Sequence, residues 1–271
     1  MLFYVFLAIS AAVAALYVCA AGGAIWAGAL MFVGAFAALV VLFVAVIGLL
    51  TISVDKTKPL EKQNKICRWA IVSATGLMHE FFEVRTHITG AEKLPEGRYV
   101  FISNHRSAFD PLIVFNKLAG CDLGFISKPS NMKIPVVGKV AYGAGCLGID
   151  RENDRNALKT IITAANYLKN DVCSIAIYPE GTRSHSAELL EFHAGSFKIA
   201  QKANVPVVVT SIRGSEAITH RILRGTDVYI DILEVIPAEE VKAAQTHELA
   251  ENCKAMIERH LDESEAQEGK R

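Results

Sequence analysis

From Met1 to Val54 the sequence holds no Asp, Glu, Lys or Arg, and every formally charged side chain of the 271-residue chain lies from Asp55 onward. A stretch of that length without charge cannot be the surface of a soluble fold, so the block reads as membrane material. Other absences narrow the chemistry. The six cysteines form no C-x-x-C and no His/Cys cluster at metal spacing, which reads as reduced, packed thiols in a cytosolic domain. With no H-E-x-x-H and no comparable carboxylate cluster, no metal is implied. Without a G-x-S-x-G there is no serine-hydrolase elbow. Formal net charge is zero, and no basic stripe with interleaved aromatics marks a nucleic-acid partner. One segment, "GAGCLG", fits G-x-G-x-x-G, yet it does not run from a clear strand directly into a helix. It reads as a turn, and no cofactor is implied.

What is there begins with two apolar segments, Met1 to about Ala20 and about Ile25 to Val54, divided at "AAGGAIWAG". About 20 residues at 1.5 Å rise cover a hydrocarbon core of about 30 Å, so each is long enough to cross. No basic stretch precedes the first segment and a second follows at once, which favours an anchor hairpin over a cleaved signal. Whether it crosses fully or dips into one leaflet stays open. Ala24 and Gly28 have small-xxx-small spacing, a pattern of little weight in an Ala-rich span. Lys56, Lys58, Lys62, Lys65 and Arg68 follow, which by the positive-inside rule puts both hairpin ends in the cytoplasm.

Residues 55–63 read as a basic linker, 64–262 as one domain and 263–271 as a disordered tail. Within the domain, β-type and helical runs alternate. "KICRWAIVSATGLMH" is a helix with Ile66, Trp69, Ala70, Val72, Ser73 and Leu77 near one face. Arg155 to Lys169 is an amphipathic helix with Leu158, Ile161, Ile162, Ala165 and Leu168 inward, and Glu239 to about Leu261 is a closing helix. "VCSIAIYP" and "VPVVVTSI" are short, continuous and β-branched, as buried central strands are. The expected fold is α/β, a single domain with a mainly parallel or mixed sheet preceded by a hydrophobic helical hairpin.

In "SNHRSAFDP", His105 and Asp110 stand five apart. Two readings follow from the residues alone. Asp110 before Pro111 is a favoured N-cap, with His105 a polar loop residue. The cap does not exclude catalysis but supplies part of it: because it caps the helix, Asp110 stays ionised and fixes one ring nitrogen of His105 while the other takes a proton. In "IAIYPEGTRSHS" an apolar strand enters a turn carrying Glu180, Gly181, Thr182 and Arg183. Gly181 allows close backbone approach, and Arg183 offers a planar fork suited to phosphate. Arg151 of "GIDRE" follows a short strand and could face the same cleft.

"NHRSAFD", "GIDR", "YPEGTRS" and "VPVVV" occur in that order between Phe101 and Ser211. In this combination the chain resembles the glycerolipid acyltransferase family, and by pattern its 1-acyl-glycerol-3-phosphate acyltransferases. The H-x-x-x-x-D block is weak alone and specific jointly with E-G-T-R. The resemblance implies a glycerolipid-acyltransferase-like domain in which His105 is the general base and Asp110 its orienting partner. It puts Arg151, Glu180, Gly181, Thr182 and Arg183 around a phosphate-bearing acceptor, with Lys128 a further phosphate contact. It also implies acyl-CoA or acyl carrier protein as donor, a lysophospholipid acceptor in the bilayer, and catalysis on the cytoplasmic face. Departures are Thr210, where a second proline is frequent, and His193, where Lys is common; these touch specificity rather than the reaction. Asp rather than Glu in the first block argues against the lipid A late acyltransferase branch.

Overall fold

The computed structural model describes residues 2–20, 22–184, 188–222 and 224–268. The apolar block forms helices α1 (Leu2–Ala20) and α2 (Ile25–Leu50). Their 19 and 26 residues give lengths of about 28 and 39 Å, enough by length and composition to cross a bilayer. Their flanks stay uncovered, with Leu16, Trp26, Leu30, Val33, Val41 and Leu49 exposed. Gly28 is a point of close approach after all, because a Cβ there would meet the Val18 side chain. The second helix stops at Leu50, short of Val54. There Thr51 turns its hydroxyl back on the Ile47 carbonyl at 2.7 Å.

Helix α3 (Lys65–Phe81) starts at Asn64, whose side chain accepts the Ile66 and Cys67 N–H groups. Both open ends of the hairpin rest on it: the Tyr4 hydroxyl donates to Glu80 at 2.8 Å, and Phe43 meets Trp69 edge-on at 6.0 Å. This explains a departure from the expected inward face. Cys67, Ala70, Thr75 and His79 are buried, while Ile66 is exposed and Trp69 stays exposed against Phe43 of the anchor.

The expected linker is fastened along its length. Lys56 Nζ donates to the Met132 carbonyl at 2.8 Å, the Tyr142 hydroxyl donates to the Lys58 carbonyl, and the Leu60 N–H donates to the Tyr167 hydroxyl at 3.1 Å. Gln63 then donates to the Ala144 carbonyl at 2.6 Å, and the Asn64 N–H to that of Gly143 at 2.8 Å.

Among the described residues seven strands make one sheet: β1 (Val84–Thr89), β2 (Val100–Ser103), β3 (Leu123–Ser127), β4 (Leu147–Gly148), β5 (Ser174–Ile177), β6 (Val207–Arg213) and β7 (Thr226–Ile236). Their order is β1-β7-β6-β2-β5-β3-β4. From β6 to β4 all neighbours are parallel, while β7 runs antiparallel to β6 and carries β1 with it. The sheet is thus mixed and mostly parallel, as expected.

Alternation along β2 sends Val100 and Ile102 to one apolar layer and Phe101 to the other. The first layer packs α6 (Asp154–Lys169), α7 (Lys198–Ala203), α8 (Ala238–Ala243) and α9 (Thr246–Glu268); the second packs α4 (Asp110–Lys117). With both faces covered, the central strands have no polar side, which is why they read as unbroken apolar runs. The short α5 (Val137–Gly143) joins α3 beside the anchor. Four cysteines, Cys67, Cys146, Cys173 and Cys253, are buried and free.

Three expectations need correcting. On α6 Ile161, Ala165 and Leu168 are buried as expected, but Ala164 and Tyr167 join them while Leu158 and Ile162 are exposed; the Tyr167 hydroxyl accepts the Leu60 N–H of the linker. The closing helix is two helices, broken at Ala244 and Gln245. The tail expected to be disordered from 263 continues α9 to Glu268, and 269–271 lie outside the described residues. Buried Leu261 and a 3.0 Å bond from His260 to the buried Asp231 hold that helix on the sheet.

Candidate active site

Five parallel strands end on one edge of the sheet, and every candidate residue follows one of them. His105 and Asp110 follow β2, Lys128 follows β3, Arg151 follows β4, and Glu180 to Arg183 follow β5. The carboxyl edge of a parallel sheet is where loops from distant sequence positions converge. Here they enclose a cleft of about 270 Å³ lined by His105, Lys128, Arg151, Gly181, Thr182 and Arg183, over a floor that includes Phe125, Ile126 and Tyr178.

His105 Nδ1 lies 2.8 Å from Asp110 Oδ2. The same oxygen accepts the Arg106 N–H at 2.9 Å and the Ser107 N–H at 2.8 Å, while the Ser215 hydroxyl donates to Oδ1. Asp110 is fully buried. A buried carboxylate is tolerable only with such partners, and four donors suit the ionised form. Nδ1 is then the donor of its bond, which leaves the Nε2 lone pair free.

This geometry corrects the N-cap reading. Asp110 is the first residue of α4, the cap position belongs to Phe109, and no side-chain cap bond forms. The carboxylate folds back onto the loop that carries His105 instead of forward onto the helix. Cap and catalytic partner compete for the same oxygens here, and the loop has them.

Glu180, expected among the acceptor-facing residues, lies beneath them. It is buried; Oε1 accepts the His105 N–H at 2.6 Å and Oε2 accepts the Leu190 N–H at 2.9 Å. Burial pushes its carboxyl above the usual range, and the Leu190 and His105 N–H groups pull it back. The Ser184 N–H donates to the His105 carbonyl at 2.9 Å, so the second loop grips His105 from both backbone sides. Gly181 has φ +75, and a Cβ there would run into the Arg151 guanidinium, which donates to the Gly181 carbonyl. Only glycine lets the arginine lie against the turn.

Three supporting residues escaped the sequence reading. Asn104, fully buried, donates to the Ile212 carbonyl and accepts the Ile212 N–H, both at 2.8 Å, extending the β2–β6 pairing by one side-chain rung. Tyr178 stacks on the His105 ring, centroids 4.4 Å apart and planes 17° apart. Ser215 reaches Asp110 because Gly214 turns the chain at φ +87 where a Cβ would strike the Asp227 carbonyl. Asn104 and Tyr178 sit inside the quoted motifs, where a polar amide ending an apolar strand was a usable signal. Ser215 had none beyond Gly-Ser after a strand.

Comparison with known proteins bears on the family and the fold. A sequence model of the family described as Acyltransferase matches residues 85–213. The 1-acyl-sn-glycerol-3-phosphate acyltransferase of Salmonella typhimurium is 31% identical over 168 residues, 62% of this chain and 68% of that protein. That of Escherichia coli is 31% identical over 169 residues with the same coverage, and the human beta form is 28% identical over 177 residues, 64% of this chain and 63% of its own. The crystal structure of the 1-acyl-sn-glycerophosphate acyltransferase PlsC from Thermotoga maritima superposes with a TM-score of 0.63 at 20% identity, covering 97% of this chain and 98% of that one. The chain belongs to the acyltransferase family, and its two N-terminal helices are long and apolar enough to cross a membrane.

Proposed function

We propose that the protein transfers a fatty acyl group from acyl-CoA or acyl carrier protein to the sn-2 hydroxyl of 1-acyl-glycerol 3-phosphate, giving phosphatidic acid. The observation that carries this reading is the His105–Asp110 pair on a cleft whose rim holds three cations, Lys128, Arg151 and Arg183. A phosphate seated among them brings a neighbouring hydroxyl to His105. The names of the relatives, 1-acyl-sn-glycerol-3-phosphate acyltransferases, support that acceptor.

The thioester is already activated, so no covalent nucleophile is required. His105 Nε2 takes the proton of the acceptor hydroxyl as its oxygen attacks the thioester carbon. Asp110 holds the ring in the needed tautomer and stabilises the imidazolium. The C–S bond breaks as the tetrahedral intermediate collapses, and the imidazolium returns its proton to the thiolate. The rim cations act by orientation, worth a large rate factor when the hydroxyl is held in line. Both the acceptor and its product are lipids, which fits a catalytic domain fastened to two apolar helices. The basic run after the anchor favours the cytoplasmic face, where soluble donors arrive.

The test is thiol release by the purified protein in detergent, with a palmitoyl or oleoyl thioester and a panel of acceptors. Release with 1-acyl-glycerol 3-phosphate well above that with glycerol 3-phosphate or other lysophospholipids is the expected result. Preference for another acceptor overturns the substrate assignment, and no release with any acceptor points instead to an anionic-lipid-binding protein.

A further inference from the structure

We infer that Tyr178 is a positioning residue for the general base: its ring, not its hydroxyl, sets the plane of the His105 imidazole and supports it when protonated. The inference rests on the acyl-transfer reading above and goes beyond it. The His105 and Tyr178 rings lie nearly parallel, 17° apart at 4.4 Å, and Tyr178 lies nearly parallel to Phe125 at 25° and 5.9 Å. Phe125 in turn packs on Phe115 at 4.6 Å. An aromatic column therefore runs from the cleft floor into the core. Phe115 sits on α4, the helix whose first residue is Asp110. The element that fixes the edge of the imidazole thus also bears the foot of the column under its face.

Asp110 alone cannot do this. A single bond to Nδ1 leaves the ring free to rock about that bond, and a rocking ring sweeps Nε2 away from the attacking hydroxyl. A parallel face removes that freedom, and an electron-rich ring under an imidazolium favours the charge formed in the transfer. The hydroxyl does not account for Tyr178. Its oxygen is buried and finds no hydrogen-bond partner among the described residues. It is shut off from the cleft, so it cannot meet substrate.

The experiment compares Tyr178→Phe and Tyr178→Leu in the full-length protein in detergent, reading kcat, both KM values and the histidine ring resonances, with His105 assigned from a His105→Gln variant. Tyr178→Phe should keep kcat within about threefold and retain the ring-current shift of His105. Tyr178→Leu should lower kcat at least tenfold, leave both KM values within twofold, and lose that shift, with its melting temperature showing that it folds. Equal losses in both variants would assign the effect to the hydroxyl and overturn the inference. So would a raised KM at unchanged kcat, which makes the ring a substrate contact, or an unshifted His105 resonance in the wild type. Wild-type protein that releases no thiol overturns the acyl-transfer reading instead, and the His105 shift then still decides whether the stack sets the ring.

Discussion

Replacing Glu180 by Gln separates two roles that the motif alone leaves fused. The carboxylate accepts two backbone N–H groups, from His105 at 2.6 Å and Leu190 at 2.9 Å, in a buried position. Hydrogen bonds to a charged group contribute about 1.5–3 kcal/mol each and neutral ones about 0.5–1.5. Glutamine has one carbonyl oxygen, so one bond becomes neutral, and the other N–H then faces an amide NH₂ and goes unsatisfied. The gross loss is about 2–4 kcal/mol, reduced because the variant no longer buries a charge that burial already disfavours. A net loss of about 2 kcal/mol lowers Tm by roughly 4–8 °C for a domain of this size. Because His105 loses its backbone support, kcat should fall as well. The acceptor KM should stay put, since Glu180 does not line the cleft. Initial-rate kinetics with 1-acyl-glycerol 3-phosphate and thermal unfolding in detergent read all three numbers. If Glu180 instead faced the acceptor phosphate, removing its negative charge would tighten binding. A severalfold lower KM with an unchanged Tm refutes the reasoning.

Further outcomes follow from the same geometry. His105→Ala should reduce thiol release to background in a folded protein, and Asp110→Asn should lower kcat by about 10²–10⁴; near-normal turnover in either excludes the proposed base. Arg183→Ala, on the cleft rim, should mainly raise the acceptor KM, and a collapsed kcat at unchanged KM would count against a binding role. Burial, with Lys117 adding to it, pushes the His79 imidazole down to about 4 from its ordinary 6.5. The unfolded chain therefore binds a proton that the fold refuses, so stability falls as pH drops from about 6.5 to 4 and levels off below. That window is worth about 3 kcal/mol at 1.4 kcal/mol per unit. Denaturant midpoints at pH 7 and pH 4.5 should converge in His79→Asn relative to wild type, and equal slopes in the two proteins would show that His79 is not the cause.

Much of this was legible because it is local. An uncharged block announces a hairpin, β-branched runs announce covered strands, and two spaced motifs announce a site. What was hidden depends on partners far along the chain. Whether Asp110 caps its helix or turns back is decided by Ser215, 105 residues away, and by the loop N–H groups it meets. Trp69 looks like core on any helical wheel, yet it is half exposed and its ring meets Phe43 of the hairpin, far away in sequence. The charged tail reads as disordered, since nothing in its composition shows that His260 will find Asp231. Glu180 wore the guise of a substrate contact because its neighbours in the motif line the cleft.

The fastened segment between anchor and domain has a consequence for where this catalyst can work. A loose tether would let the domain sample a range of heights above the bilayer. Bonds at Lys56, Lys58, Leu60, Gln63 and Asn64 fasten the segment after the anchor to the domain, so with the anchor in a bilayer, as proposed above, the cleft would stand at a constant level relative to the lipid. Height then becomes a selection rule in its own right: a molecule with the correct headgroup is met only if its hydroxyl floats at that level.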